Sequence, residues 1–245
     1  MVQAGPYTRR LVADLPFNFA DGLAARLVLA LDREGKIGRA LEALGPIAGR
    51  DVLVVDPAGG IRTAELVERG AKVVAPPSDG LAAQPAESVD VILGYWSAFR
   101  APSPDGLAEA DRILRPGGRL LVVHDYGRDD VSRLGGDRPE YGSWGRRDGW
   151  YLRAGFRIRV IHCFWTFDSE SDVREFLEEA FGDTGVALAG TLRRPRLSYN
   201  VAIYHRTRGD APVGDGAPVA AGRTGQPDRV RPVPSGPRRG PDPGP

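Results

Sequence analysis

Apolar residues along the chain alternate between two spacings. Over residues 21–44 the spacing is helical. Leu23, Leu27, Val28 and Leu31 form one stripe, with Asp21 placed to cap it. A second helix fits Lys36–Leu44 and stops at Gly45-Pro46. The short apolar cluster Leu15-Pro16-Phe17-Asn18-Phe19 precedes both. From residue 51 strand-like runs appear. Val52–Val55 is apolar at every position, as a strand covered on both faces is. A helical stretch, Ile61–Arg69, leads to a second strand, Ala71–Ala75. Val89–Leu93 and Arg119–Val123 are further strands. Between them a helix over Asp105–Leu114 ends at Arg115-Pro116-Gly117-Gly118, a stop followed by a turn. Trp150–Ala154 closes another helix, and Phe156–Phe164 is a long strand. Ser171–Phe181 places Val173, Phe176, Leu177 and Ala180 on one helix face, and Tyr199–His205 is the last strand. Strands and helices that alternate in this way predict an α/β fold with a mostly parallel sheet.

Composition divides the chain into three: a helical segment at 1–50 packing on the core, an α/β domain at 51–206, and a tail at 207–245. The tail has 9 prolines and 8 glycines in 39 positions, without Leu, Ile or an aromatic residue. Too little apolar surface is available there to offset ordering, so a disordered tail is expected, with protein docking as its alternative role.

The net charge is +1, which gives no global pull toward nucleic acid or membrane. Only Lys36 and Lys72 among the 33 basic residues are lysines, a bias that fits a GC-rich genome better than a functional choice. No apolar run approaches the length of a membrane span, and Met1–Arg10 lacks a signal-peptide pattern. One cysteine, Cys163, excludes an internal disulfide framework and suits a reducing cytoplasm. His162 and Cys163 are adjacent on a strand and point to opposite faces, so no metal site is expected there.

The run Leu107–Val123 contains Ile113-Leu114-Arg115-Pro116-Gly117-Gly118, followed by apolar residues. It resembles the helix-and-strand pair of class I S-adenosylmethionine-dependent methyltransferases. Ser88–Leu93 and Arg153-Ala154-Gly155-Phe156 extend the resemblance, which covers roughly residues 50–206. It implies a Rossmann-like, doubly wound, mostly parallel sheet. The last strand, Tyr199–His205, would run antiparallel between the fifth strand and the long Phe156–Phe164 strand. Only thirteen residues, Pro76–Ser88, separate the second strand from the next, too few for a helix and a further strand. A sheet of about six strands lacking the third, edge strand is therefore expected.

The resemblance also implies a cofactor site, S-adenosylmethionine if the protein is active and none otherwise. The family's first motif is a glycine loop after the first strand. Here that loop reads Asp56-Pro57-Ala58-Gly59-Gly60, with Asp56 and Ala58 where glycines are expected. Asp56 could instead face the methionine ammonium, or the Asp-Pro pair could be a turn device. The acid that usually bonds the ribose is missing from the second strand's end, Val74-Ala75-Pro76-Pro77. Asp79 is the nearest carboxylate and a candidate for the adenine side. Cofactor candidates are thus Asp56, Gly59, Gly60, Asp79, Tyr95 and Trp96. Tyr95 and Trp96 are placed to stack on adenine or an aromatic acceptor, or simply to pack.

His124 and Asp125, at the end of the strand after the Arg-Pro-Gly-Gly turn, are candidate bases for an acceptor that must lose a proton. His124 bonded to backbone is the plainer alternative. Methyl transfer itself needs mainly positioning of the acceptor. Two functions remain open. One is a methyltransferase with a small-molecule acceptor. The other is a non-catalytic methyltransferase-like fold, without cofactor, serving as an interaction or regulatory module. Arginines and tryptophans at 138–165 suggest nucleic acid only weakly, because Arg157 and Arg159 alternate as solvent-facing residues do.

Overall fold

The computed structural model describes residues 15–55, 61–76, 80–96, 99, 103–136, 138, 141 and 144–210. Six strands form one sheet: β1 Asp51–Val55, β2 Lys72–Val74, β3 Val89–Tyr95, β4 Leu114–Asp125, β5 Arg157–Thr166 and β6 Arg196–Thr207. Their order is β2-β1-β3-β4-β6-β5. β2, β1, β3 and β4 are parallel, while β6 runs antiparallel to both β4 and β5. This is the Rossmann-like, six-strand sheet expected from the sequence, with the antiparallel strand in the expected place. Among the described residues, β2 connects to β3 with no strand between them, only a single 3-10 turn, Leu81–Ala83. Among them also, no helix is long and apolar enough to cross a membrane.

Two apolar layers flank the sheet. On one face lie α1 Asp21–Ala30, α2 Lys36–Ala43, α3 Ile61–Glu68 and, later in the chain, α7 Glu170–Ala189. Their Leu27, Leu41, Leu66 and Phe176 meet Val54, Leu93, Val123 and Ile203 of the sheet. On the other face α4 Pro104–Ile113 and α6 Trp150–Arg153 meet Leu53, Ile92, Val122 and Tyr204. The short α5, Asp130–Leu134, follows β4.

Several elements differ from expectation at their ends. Asp21 is the first residue of α1, with Ala20 at the N-cap and no side-chain cap bond. Asp32 is the effective cap in this region: its carboxylate accepts the backbone N–H groups of Lys36 and Ile37 at the start of α2. The Arg115–Gly118 turn lies inside the β3–β4 ladder. Val89 pairs with Leu114 and Val91 with Arg119, so the intervening residues bulge out. Gly117 takes φ +76 there. Arg115 reaches back to bond Asp51 at 2.7 Å and Asp90 at 3.2 Å, tying the starts of β1 and β3 together.

The last helix continues eight residues beyond the expected end at Phe181. Gly182, at φ 57 and ψ −138, breaks it into two pieces. A side chain at that φ is strained, so the expected end coincides with a real interruption. The residues 211–245, and with them most of the expected tail, lie outside the described residues, as does Met1–Arg10.

Candidate functional site at the strand ends

In a sheet of this kind the crossovers leave β1 in opposite directions, toward β2 on one side and β3 on the other. A ligand crevice forms beyond the carboxyl ends of the strands at that switch. Val55 ends β1 and Tyr95 ends β3. The loop carrying Asp56, Gly59 and Gly60, and the position of Asp79, lie outside the described residues.

Tyr95 and Trp96 are both buried, and their rings stack at 5.8 Å with planes 27° apart. Trp96 has φ 44, a region that a bulky side chain rarely enters and that is found most often where function over-determines the backbone. Its backbone N–H donates to the Val123 carbonyl at 2.8 Å. The ring therefore turns into the core instead of outward.

There the Trp96 indole Nε1–H donates to the Tyr199 hydroxyl at 2.8 Å. The Tyr199 hydroxyl in turn donates to the Asp125 carboxylate. Tyr141 donates to the other oxygen of Asp125 at 3.4 Å. Tyr199 of β6 and Tyr141 from the segment before α6 thus converge on one buried carboxylate at the end of β4, with Trp96, just after β3, behind Tyr199. Burial, and next the Asp125 charge, push the Tyr199 hydroxyl well above its ordinary pKa, so it remains a neutral donor.

His124 and Asp125 are not brought together. Successive strand residues face opposite sides, and β4 follows that rule. Asp125 joins the network just described. His124 is fully buried on the other face, its ring 5.3 Å from that of Trp144 and 6.3 Å from that of Tyr151.

Sequence reasoning missed Tyr199, Tyr141 and a second carboxylate, Asp129. Asp129 caps α5 through the Ser132 N–H at 2.6 Å and also accepts the Asn200 N–H at 2.8 Å. Burial raises its pKa, partly offset by those N–H donors. A local signal existed: Asp129 three residues before Ser132, the spacing of a capping box. No local signal marks Tyr199, because its role comes from the β4–β6 pairing. Replacing Tyr199 with Phe removes one acceptor from Trp96 and one donor from Asp125. The expected loss is about 2 kcal/mol of unfolding free energy, read from urea denaturation. An unchanged midpoint would show that the network carries no stability.

A pocket of about 400 Å³ opens beside Tyr95, between the α1–α2 connection and α3. Leu31, Ile37, Leu41 and Leu66 supply apolar walls, and Arg33 and Glu65 stand among its polar groups. That volume falls in the range of small-molecule sites. Among the described residues, no group of three His, Cys, Asp or Glu side chains could hold a metal.

No family model matches the sequence, and no curated protein matches it. Among solved structures, the chain is similar to an S-adenosylmethionine-dependent methyltransferase from Aquifex aeolicus. The identity is 17%, with 72% of this chain and 90% of that one covered, at a TM-score of 0.42. It is also similar to the YcgJ protein of Bacillus subtilis, at 15% identity, covering 72% and 99%, with a TM-score of 0.44. The strand order itself, with β6 antiparallel between β4 and β5, is that of the class I methyltransferase fold less one edge strand.

Proposed function

We propose that this protein is an S-adenosylmethionine-dependent methyltransferase whose acceptor is a small molecule that arrives already nucleophilic, such as an unprotonated amine or a thiolate. The observation that carries the reading is the strand order, together with the Arg115–Gly118 turn in its structural role at the base of β1 and β3. Both belong to the fold that the sequence resembles.

The state of the candidate bases supports the choice of acceptor. Asp125 holds two tyrosine hydroxyls inside the core, and His124 faces the opposite layer. Neither is presented to the crevice as a proton acceptor. An acceptor with an available lone pair needs none, and positioning alone supplies much of the rate.

Of the six candidate cofactor positions, Tyr95 and Trp96 are the described ones. Tyr95 borders the pocket beside the crevice and suits an aromatic wall. Trp96 is turned inward and supports that wall from behind. The cofactor, when bound, supplies an electrophilic methyl group on sulfur. The chain's part is to hold the acceptor against it and exclude water.

A second reading, a non-catalytic module of the same fold, is favoured by the commitment of Trp96 and Asp125 to internal bonds. Calorimetric titration of the whole protein with S-adenosylhomocysteine separates the two. The methyltransferase reading expects micromolar binding that Gly60→Arg abolishes. Absence of heat at millimolar ligand overturns it in favour of the module.

A further inference from the structure

The pocket of about 400 Å³ in the helical layer has a lining that selects a ligand. Leu31, Ile37, Leu41, Leu66 and Tyr95 wall it, and each is more than nine-tenths buried. Leu29 also lines it although 69% exposed, so the apolar lining continues to the surface. An apolar molecule that enters loses contact with water at no polar cost.

Glycines make the room. Gly35 and Gly38 both line the pocket, and Gly38 lies inside α2. A Cβ at Gly38 would be 2.3 Å from Arg69 Nη2 and 2.5 Å from its Cζ. The Arg69 guanidinium thus rests against bare backbone, where a side chain would displace it. Glycine is a poor helix former, so α2 gives up propensity at this position.

The charged groups of the lining balance, Asp32 and Glu65 against Arg33 and Arg69. The Asp32 carboxylate accepts the N–H groups of Lys36 and Ile37 at 2.9 and 2.7 Å. Arg33 pairs with Asp168 at 2.7 Å and donates to the Leu29 carbonyl at 2.8 Å. Glu65 is engaged as well, and one turn before Arg69 it keeps the local charge even. Among the described residues the Arg69 side chain forms no hydrogen bond or ion pair. An entering ion would bring a charge that this balanced lining does not neutralise, and would lose hydration against apolar walls. An uncharged molecule meets neither cost. A guanidinium attracts the π-face of a ring, and Tyr95 supplies an aromatic wall.

We propose that this pocket binds an uncharged aromatic molecule of one or two fused rings. Its apolar body lies against Leu31, Leu41, Leu66 and Tyr95, and one ring face meets the Arg69 guanidinium. The site stands on its own lining. It needs no cofactor and does not depend on the methyltransferase reading.

The test is equilibrium dialysis of the full chain, without cofactor at neutral pH, against three naphthalenes of one substitution pattern: naphthylmethanol, naphthoate and naphthylmethylammonium. The alcohol is expected to bind at least about tenfold tighter than either ion. Gly38→Leu puts a side chain where Arg69 and the ligand lie. It should weaken the alcohol by about tenfold or more without lowering the thermal midpoint, since leucine favours helix over glycine. Arg69→Gln, at an exposed position, should weaken it about threefold and serves whether or not Gly38→Leu folds. Absence of saturable binding by the alcohol would overturn the proposal. So would an ion that binds as tightly, or undiminished binding by Arg69→Gln or by a folded Gly38→Leu.

Discussion

Replacing Tyr151 with Ala is expected to cost roughly 3–5 kcal/mol, enough to consume much of the stability of an ordinary domain. Tyr151 is fully buried and is the hub of one apolar layer. Its ring stacks on Tyr204 at 3.8 Å with planes 10° apart. Trp150, Phe156 and Trp144 meet it edge-on at 5.1, 5.2 and 5.7 Å. The Ala variant leaves a cavity among rigid aromatic rings that cannot collapse into it. The hydroxyl donates to the Phe99 carbonyl, so Tyr151→Phe is the control: it removes the hydroxyl and keeps the ring, at about 1 kcal/mol for that bond. Guanidinium unfolding of both variants separates the two contributions. Equal losses would place the energy in the hydroxyl instead of the ring.

Gly185→Ala is the second large effect. A Cβ at this position would lie 1.9 Å from the Leu177 carbonyl oxygen and 2.5 Å from its carbon. Both are backbone atoms of the preceding helical piece, so no rotamer change relieves the overlap. The two pieces of α7 must separate, and with them Val173, Phe176 and Leu177, all buried in the same core layer. Overpacking against a main chain belongs at the upper end of the usual range, about 3 kcal/mol. Helix propensity works the other way, favouring alanine over glycine by about 1 kcal/mol, so it cannot account for a loss at Gly185; the neighbouring exposed Ala187→Gly sets the scale of a propensity effect in this helix. A thermal midpoint for Gly185→Ala no lower than that of Ala187→Gly would refute the close packing of the two pieces.

The strand runs were legible because their cause is local. Val52–Val55 and Val91–Leu93 are apolar at successive positions, as strands buried on both faces are. Ends were less legible. β4 begins at Leu114 because the Arg115–Gly118 turn bulges without leaving the ladder, which composition does not reveal. That no strand stands between β2 and β3 among the described residues was legible by counting residues.

The site divides the same way. Tyr95, Trp96, His124 and Asp125 were identifiable as strand-end residues. That Asp125 joins Tyr199 while His124 faces Trp144 follows from strand parity and from the β4–β6 pairing. The parity could be read from sequence, but the partners could not.

β2 contacts the sheet through three paired positions, Lys72, Val73 and Val74, with no strand beyond it among the described residues. Lys72 is exposed and the two valines are only half-buried. So short an edge detaches at a fraction of the free energy needed to unfold the whole, and its amides should exchange with solvent through local opening. The switch point between β1 and β3 is one strand in from this edge. Any ligand held there stabilises the closed form by mass action, in proportion to its affinity. A ligand held there would do the clamping that a strand beyond β2 does in a wider sheet, and the stiffness of the edge would report what is bound.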